Sequence, residues 1–520
     1  MPEDNHSVSA ADHPLSDHPL SNHSPPHHSP QMTPRRSPEP RRSFLSARRV
    51  PFAVWALLAY LAAITIFGKG PTYLGYPPLY WGEVVLGLGL LWILSSNGAT
   101  GLGNRQLRPL SAAVLLFVAY GAVRTCISFS EWGLDAWRDA AVWYYAGFYF
   151  IGIHIARLPP LGDKIWRAVC GFWVAALLWG VAETLSGNAF SALSPVIPWR
   201  GVPVLSSSHS DLMQNMALGS ILVLCVQRAK RSPLWGNLLY VVAVAGFAMF
   251  LLSYGRGVKV GLGLGILCVI ALNLRALNLR ALNLRGFNLS QFRSVQLPAR
   301  LYRLLFVSGL VLILVVAALG LGITDVGYLS RFDEISLASD HGSVYWRLIW
   351  WERLMDELFV RNPLFGLGFG ENLGIFNPYI DANDSSGWPI RAPHNVNVTV
   401  LSRMGFFGFA IWLAILGRGL GGLFLRVWRS GAGTRADSSA SLRPARTEEI
   451  SFWLLMLLTT WGNGSFGVLM EGPVLGVWFW FALGFSSVCS LALRGAPAAV
   501  RSPRRSYALP RLTPAAGPAL

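Results

Sequence analysis

Apolar residues along this chain fall into blocks near 52–68, 77–95, 109–127, 138–156, 166–186, 209–227, 234–253, 257–273, 302–323, 404–425, 450–470 and 473–493. Blocks of about 20 residues are long enough to cross a bilayer core as helices. The pattern therefore predicts an all-α polytopic membrane protein with about 12 transmembrane helices. One connection stands apart from the short ones. Residues 324–403 form a large polar loop, predicted to contain amphipathic helices, and 341–405 is its densest stretch of chemistry.

Charge gives the blocks a direction. Arg35, Arg36, Arg41, Arg42, Arg48 and Arg49 precede the first block and should hold the N-terminus in the cytoplasm. The even-numbered connections should then also be cytoplasmic, and each is basic. They carry Arg105 and Arg108; Arg157, Lys164 and Arg167; Arg228, Lys230 and Arg231; Arg275 through Arg303; and Arg426 through Arg446. The predicted organisation is a cytoplasmic tail at 1–48, helices one to nine within 50–323, an extracytoplasmic loop at 324–403, helices ten to twelve within 404–494, and a cytoplasmic tail at 495–520.

Composition narrows the class further. The chain has 520 residues, 53% hydrophobic and 13% charged, with 21 Trp, which excludes an ordinary soluble multidomain protein. The net charge of +17 resides in tails and alternate loops. No basic domain remains once the spans are removed, so nucleic acid is not an expected partner. Cys126, Cys170, Cys225, Cys268 and Cys489 are scattered and read as small core hydrophobes. The tail holds His6, His13, His18, His23, His27 and His28, either a metal-binding tract or low-complexity drift. No cleavable signal peptide is expected, because the first apolar block starts too late. Residues 271–290 repeat ALNLR and read as an extension of the eighth span.

Arginine outside the cytoplasm runs against the orientation rule and asks for a reason. Arg256 lies in LLSYGRGVKVG between spans seven and eight, bracketed by Gly255 and Gly257, with Lys259 one turn on. It reads either as a ligand-binding arginine or as a helix-end arginine snorkelling to headgroups. Arg347 opens a helix predicted over 344–360. There Trp351, Leu354, Met355, Leu358 and Phe359 form an apolar stripe, and Arg347 projects into it. Such a helix should lie along the membrane with its apolar face down. Its arginine needs an anion, from a structural carboxylate or from a phosphate. The run NPLFGLGFGENLGIF reads as a plain turn or as a backbone nest for phosphate. His394, in RAPHNVNVTVLSRMG, sits near a helix start and reads as a general base or as a capping histidine. His209 and His341 are weaker candidates, and Arg391 and Arg403 flank His394. Walker, H-E-x-x-H, G-x-S-x-G and paired-cysteine zinc motifs are missing from the sequence, so neither a metal nor a cofactor is expected.

Three of these elements together carry a resemblance. They are SYGRGVKVG at 253–261, WRLIWW at 346–351 followed by NPLFGLGFG at 362–370, and PHNVNVTVLSRMGFFG at 393–408. In order and spacing the chain resembles the O-antigen ligase and polymerase superfamily of bacterial membrane glycosyltransferases over roughly 205–425. The resemblance implies a periplasmic catalytic loop in the inner membrane. It implies transfer of a polysaccharide from an undecaprenyl-pyrophosphate-linked donor to an acceptor hydroxyl, on lipid A-core for a ligase or on another glycan for a polymerase. It also implies that Arg256 and Arg347 hold the pyrophosphate and that His394 activates the acceptor. Lys259, Arg391 and Arg403 are expected as further phosphate or acceptor contacts. The competing class is a transporter or flippase, for which Glu83, His154, Glu183 and Asp211 are the ionisable groups in or beside spans. Each is placed near a span end, and no inverted repeat is visible.

Overall fold

The structure, a computed structural model, describes residues 50–96, 100–187, 189–205, 209–227, 234–252, 256–276, 345–377, 391–430, 443–467 and 470–491. The block near 302–323, the polar stretch before Tyr345, His341 and both tails lie outside the described residues. Everything below belongs to the unit that begins at Pro51.

The elements follow the apolar blocks. They are α1 (Phe52–Phe67), the hairpin β1 (Gly75–Tyr76) and β2 (Leu79–Tyr80), α2 (Trp81–Ser95), α3 (Arg108–Trp132), α4 (Leu134–Asp139), α5 (Ala141–Tyr144), α6 (Gly147–Ala156) and α7 (Pro159–Leu185). After the short α8 (Ala189–Ala192) comes a second hairpin, β3 (Val196–Ile197) and β4 (Val202–Pro203). It is followed by α9 (His209–Gln227), α10 (Leu234–Leu252) and α11 (Arg256–Ala276). Within the polar loop lies α12 (Tyr345–Arg361), α13 (Val396–Leu416) begins at its end, and α14 (Gly422–Ser430), α15 (Arg443–Gly464) and α16 (Pro473–Cys489) follow. The only sheets among the described residues are the two antiparallel hairpins, with Tyr76 opposite Leu79 and Ile197 opposite Val202.

Three described helices, Arg108–Trp132, Leu161–Leu185 and Val396–Arg429, are long and apolar enough to cross a bilayer, and six shorter apolar helices accompany them. Only 33% of the apolar stretch of Arg108–Trp132 is buried in protein. Val123 and Ile127 on this helix, like Leu91, Leu94 and Leu267 elsewhere, face outward. Apolar helices that leave most of their apolar surface uncovered need a lipid solvent. This is a helical membrane protein.

Packing between helices relies on glycine, as expected where no hydrophobic force drives helices together in lipid. A Cβ on Gly152 of α6 would stand 2.4 Å from the Phe481 carbonyl oxygen of α16, and one on Gly462 of α15 would stand 2.3 Å from Gly261 Cα of α11. Both pairs are therefore backbone-to-backbone contacts.

Two expected spans differ in detail. The block at 138–156 is α4, α5 and α6 in succession, joined by tight i to i+3 turns at Ala140–Trp143, Trp143–Ala146 and Tyr145–Phe148. Polar partners bend the chain there. Trp143 Nε1 donates to Thr125 Oγ1 at 2.9 Å, and the Tyr144 and Tyr145 hydroxyls donate to Glu83 Oε1 at 2.9 and 2.6 Å. The block at 404–425 begins earlier, at Val396, and is broken at Gly405, whose φ is 64°. Its first turns lie in what the sequence assigns to the loop. In the pentapeptide run, α11 continues through the first unit to Ala276.

Candidate functional site

The break in α13 organises the site. The segment 362–370 docks its backbone against it. Leu367 and Gly368 donate their N–H groups to the carbonyls of Ser402 and Arg403, and Phe406 and Phe407 donate back to Pro363 and Leu364. The approach is close enough that a Cβ on Gly366 (φ 81°) would stand 2.5 Å from both Arg403 C and Gly405 N. Gly366→Ala is expected to cost about 1–3 kcal/mol in denaturant unfolding of the detergent-solubilised protein. Gly421→Ala, where an added methyl meets nothing within 4 Å, is the neutral comparison.

Helix α3 holds the other side of this loop. Tyr120 Oη donates to the Met404 carbonyl at 2.9 Å, Arg124 Nη2 donates to the Gly366 carbonyl at 3.0 Å, and Ser128 Oγ accepts from Phe369 N. Gly370 N donates to Asp139 Oδ2 at 3.1 Å. The N–H groups of residues 367–370 all point to protein acceptors. Of the two sequence readings the structure supports the turn at residues 367–370.

Asp139 is the hub of this docking. Its Oδ2 also takes Arg403 Nη2 at 2.8 Å and Arg391 Nη2 at 3.3 Å, while Arg391 Nη1 reaches Asp135 at 3.3 Å. Arg403 is 2% exposed and donates to the Gly368 and Glu371 carbonyls as well. Arg391 donates to the Gly370 carbonyl. Both arginines, expected at phosphate, are placed as clamps on the loop. On the same face of α13, Thr399 Oγ1 donates to Glu471 Oε1 at 2.5 Å.

Helix α12 buries Trp350, Leu354 and Leu358. That stripe is rotated by about one position from the expected one, and Phe359 is exposed. It packs on protein rather than on lipid. Trp350 Nε1 donates to the Leu373 carbonyl at 2.9 Å, and Trp351 Nε1 donates to the Pro393 carbonyl at 2.7 Å. The second bond ties the helix to the residue before His394.

This arrangement brings Arg347 and His394 to one indole. The Arg347 guanidinium lies 5.1 Å from the centre of the Trp346 ring, and the His394 ring meets Trp346 edge-on at 5.7 Å, with Trp350 at 6.1 Å. His394 has φ 56°, the one positive value among described non-glycine residues. Strain of that kind persists only where surrounding contacts over-determine it, and it gathers at functional sites. Its Nδ1 lies 3.1 Å from the Ala392 carbonyl oxygen. A carbonyl can only accept, so Nδ1 carries the proton and Nε2 presents a lone pair, the tautomer a base requires. Burial, and then the Arg347 charge, lower the imidazole to about 4, against a smaller upward pull from the Ala392 bond.

Arg256 is the first residue of α11, and its side chain lies outside the described atoms, as does that of His209. The backbone locates its end of the helix. A Cβ on Gly257 would stand 3.0 Å from Asn463 Oδ1, and Asn463 Nδ2 donates to Gln214 Oε1 at 2.7 Å. Ser465, two residues on, accepts from Asn397 Nδ2 at 3.0 Å. Asn397 is three residues from His394. The start of α11, the end of α15 and the start of α13 therefore share one end of the bundle. Lys259 follows on α11 and is half-buried.

Trp346, Trp350, Asp139, Tyr120, Arg124, Ser128 and Asn397 are missed by the sequence reading. The signal for Asp139 was present, since a carboxylate beside an apolar block must find a partner. The groups put forward for transport have local partners instead. Glu83 has its tyrosines, His154 lies 3.3 Å from Ser96 Oγ, and Glu183 accepts from Ser191 N at 3.0 Å. The side chain of Asp211 is outside the described residues.

Fold and geometry together describe a helical membrane protein in which a histidine and an arginine meet beside a broken helix. Residues 240–413 match the family model described as O-antigen ligase, and this stretch places the chain's resemblance in the O-antigen ligase superfamily. The match includes Arg256, Arg347 and His394. It implies ligase- or polymerase-type, glycosyltransferase-like activity, with glycan and lipid-linked substrates in general. No curated protein matches the chain.

Proposed function

We propose that the protein transfers a polysaccharide from undecaprenyl pyrophosphate to an acceptor hydroxyl at the periplasmic face of the bacterial inner membrane, in the manner of an O-antigen ligase. The observation that carries this reading is the convergence of Arg347 and His394 on Trp346, with the start of α11 at the same end of the bundle. The alternation of basic connections supports the orientation.

In the transfer, the acceptor oxygen attacks the anomeric carbon of the donor. The bond from that carbon to the pyrophosphate oxygen breaks, and its electron pair leaves with the pyrophosphate. The acceptor proton passes to His394 Nε2. Arg347 and Arg256 stabilise the charge that develops on the leaving group, and Lys259 adds to the positive field at the start of α11. Arg391 and Arg403 hold the loop through Asp139. Trp346 fixes the distance between clamp and base.

The test is transfer by purified protein in lipid, from undecaprenyl-pyrophosphate-linked glycan, with lipid A-core and free glycan supplied as separate acceptors. Product on lipid A-core marks a ligase, and product on glycan marks a polymerase. Arg347→Gln is expected to lower the rate by about 10²–10³. Arg347→Lys should fall between, because it keeps the charge and loses the bidentate fork. Arg347→Gln at wild-type rate would remove the clamp from the mechanism.

A further inference from the structure

Both hairpins lie on connections that the charge alternation puts on the same side as the polar loop, and they touch. A Cβ on Gly70, five residues before β1, would stand 2.5 Å or less from the carbonyl oxygens of Pro203, the last residue of β4, and Val204 after it. Tyr76 at the tip of one hairpin meets Trp199 of the other edge-on at 6.3 Å. Tyr76 is 76% exposed and Trp199 39%. Two aromatic rings thus stand together in the open.

Cations collect against this aromatic ledge. Arg200 Cζ lies 4.8 Å and Lys69 Nζ 5.7 Å from the centre of the same ring, Tyr73. Arg138 of α4 is exposed and feels the charges of Asp139, Arg391, Arg200 and Asp135, the first most strongly. Arg391 is three residues from His394 and is held by Asp135 and Asp139. Lys69 and Arg200 therefore form the cationic part of the ledge, with Arg138 on α4 beside it, while Arg391 at the edge of the candidate site is already neutralised by its two carboxylates. Gathering like charges on an exposed surface costs free energy that a polyanion recovers. An aromatic interface belt with snorkelling cations would explain the rings and the charges separately. It would not explain why both cations lie against one ring, Tyr73, between two hairpins that touch.

We propose that the two hairpins and α4 form the docking surface for the acceptor, and that its occupant is the phosphorylated saccharide headgroup of a glycolipid. The phosphates meet Lys69, Arg200 and Arg138, and a sugar ring lies on Tyr76 and Trp199. This rests on the glycan-transfer reading above, and it assigns the acceptor to a surface distinct from the Arg347 clamp. It places the acceptor hydroxyl on the α4 side of the ledge, toward His394.

The experiment uses full-length protein in zwitterionic nanodiscs and measures binding of three probes by native mass spectrometry: lipid A-core, dephosphorylated lipid A-core and phosphatidylglycerol. Wild type is expected to bind lipid A-core at least about tenfold more tightly than either of the others, consistent with loss of one or more charge-assisted contacts. The Lys69→Gln/Arg200→Gln double variant and the surface variant Tyr76→Ser should each lose about that factor for lipid A-core. Retention of undecaprenyl-pyrophosphate donor and thermal unfolding should stay at wild-type values. Equal binding of lipid A-core by wild type and the double variant would overturn the proposal. So would phosphatidylglycerol binding as tightly as lipid A-core, which would make the ledge a general anionic-lipid contact. Binding is read without turnover. A wild type that binds lipid A-core but transfers nothing refutes the transfer reading, while normal transfer with an unchanged acceptor KM in the variants refutes the surface.

Discussion

His394→Ala is expected to lower glycan transfer by about 10²–10⁴, the range general-base catalysis supplies. The protein should remain folded, because the ring makes one hydrogen bond, to Ala392, and the helix start is capped independently. Asn395 accepts from Asn397 N at 2.9 Å. His394→Asn, which tolerates the left-handed backbone, should be as inactive and at least as stable. The wild-type pH profile is a second readout. The base must be unprotonated, so the rate rises with pH through the imidazole value and then levels. In the empty site that value is about 4, set first by burial and then by Arg347. The acid limb of kcat/KM, which reports the free enzyme, should therefore lie well below the ordinary histidine range. A bound pyrophosphate offsets the Arg347 charge, so the acid limb of kcat should lie higher. Arg347→Gln should raise the limb of kcat/KM. Unchanged transfer in His394→Ala, or an acid limb of kcat/KM that ignores Arg347→Gln, would remove the histidine from the role of base.

The second large effect is on stability. Asp139→Ala removes the carboxylate that Arg403 pairs with at 2.8 Å, and Arg403 is 2% exposed. Breaking a buried pair from one side leaves an uncompensated charge and costs about 3–5 kcal/mol. The same substitution strips an acceptor from Gly370 N and a partner from Arg391. Denaturant unfolding in detergent should show the loss. Asp139→Ala/Arg403→Met should recover part of it, since the stranded charge goes with its partner. A double variant no more stable than Asp139→Ala alone would mean that the hub is not what holds the loop. The functional consequence is indirect. Residues 362–377 fix the far end of α12, and α12 carries Trp346 and Arg347, so a loosened loop should raise donor KM before it touches the chemistry.

Several parts of this site were legible in one dimension. An arginine inside an apolar helical stripe, a histidine between Pro393 and a helix start, and a glycine-bracketed Arg256 each break a local expectation, and such breaks can be read without a fold. The direction of α12's apolar face was nearly right for the same reason, since helical geometry fixes which residues share a side. The stripe was off by about one position because what covers it is protein. Trp350 is drawn in by the Leu373 carbonyl, while Phe359 is left beside Phe406 at 5.7 Å.

Arg391 and Arg403 illustrate the limit. Their sequence neighbours say only that they are basic and near His394. Their partners, Asp135 and Asp139, lie some 250 positions earlier in the chain, and no window along the sequence joins them. The glycine run has the same history. Its φ values above 80° at Gly366, Gly368 and Gly370 suit an anion nest as well as a tight turn, and only the acceptors on α3, α4 and α13 decide between them.

By itself, then, the sequence determined the membrane class, the order of the apolar blocks and the three elements around Arg256, Arg347 and His394. These follow from hydropathy and helical period, which are local and additive along the chain. Only the tertiary structure decided that the block at 138–156 bends, that the glycine loop gives its N–H groups to protein, and that two arginines are clamps on Asp139. It also decided that Arg347 and His394 share one indole. Hydrogen bonds and ion pairs form between groups that meet in space, and which groups meet depends on how all the helices pack at once.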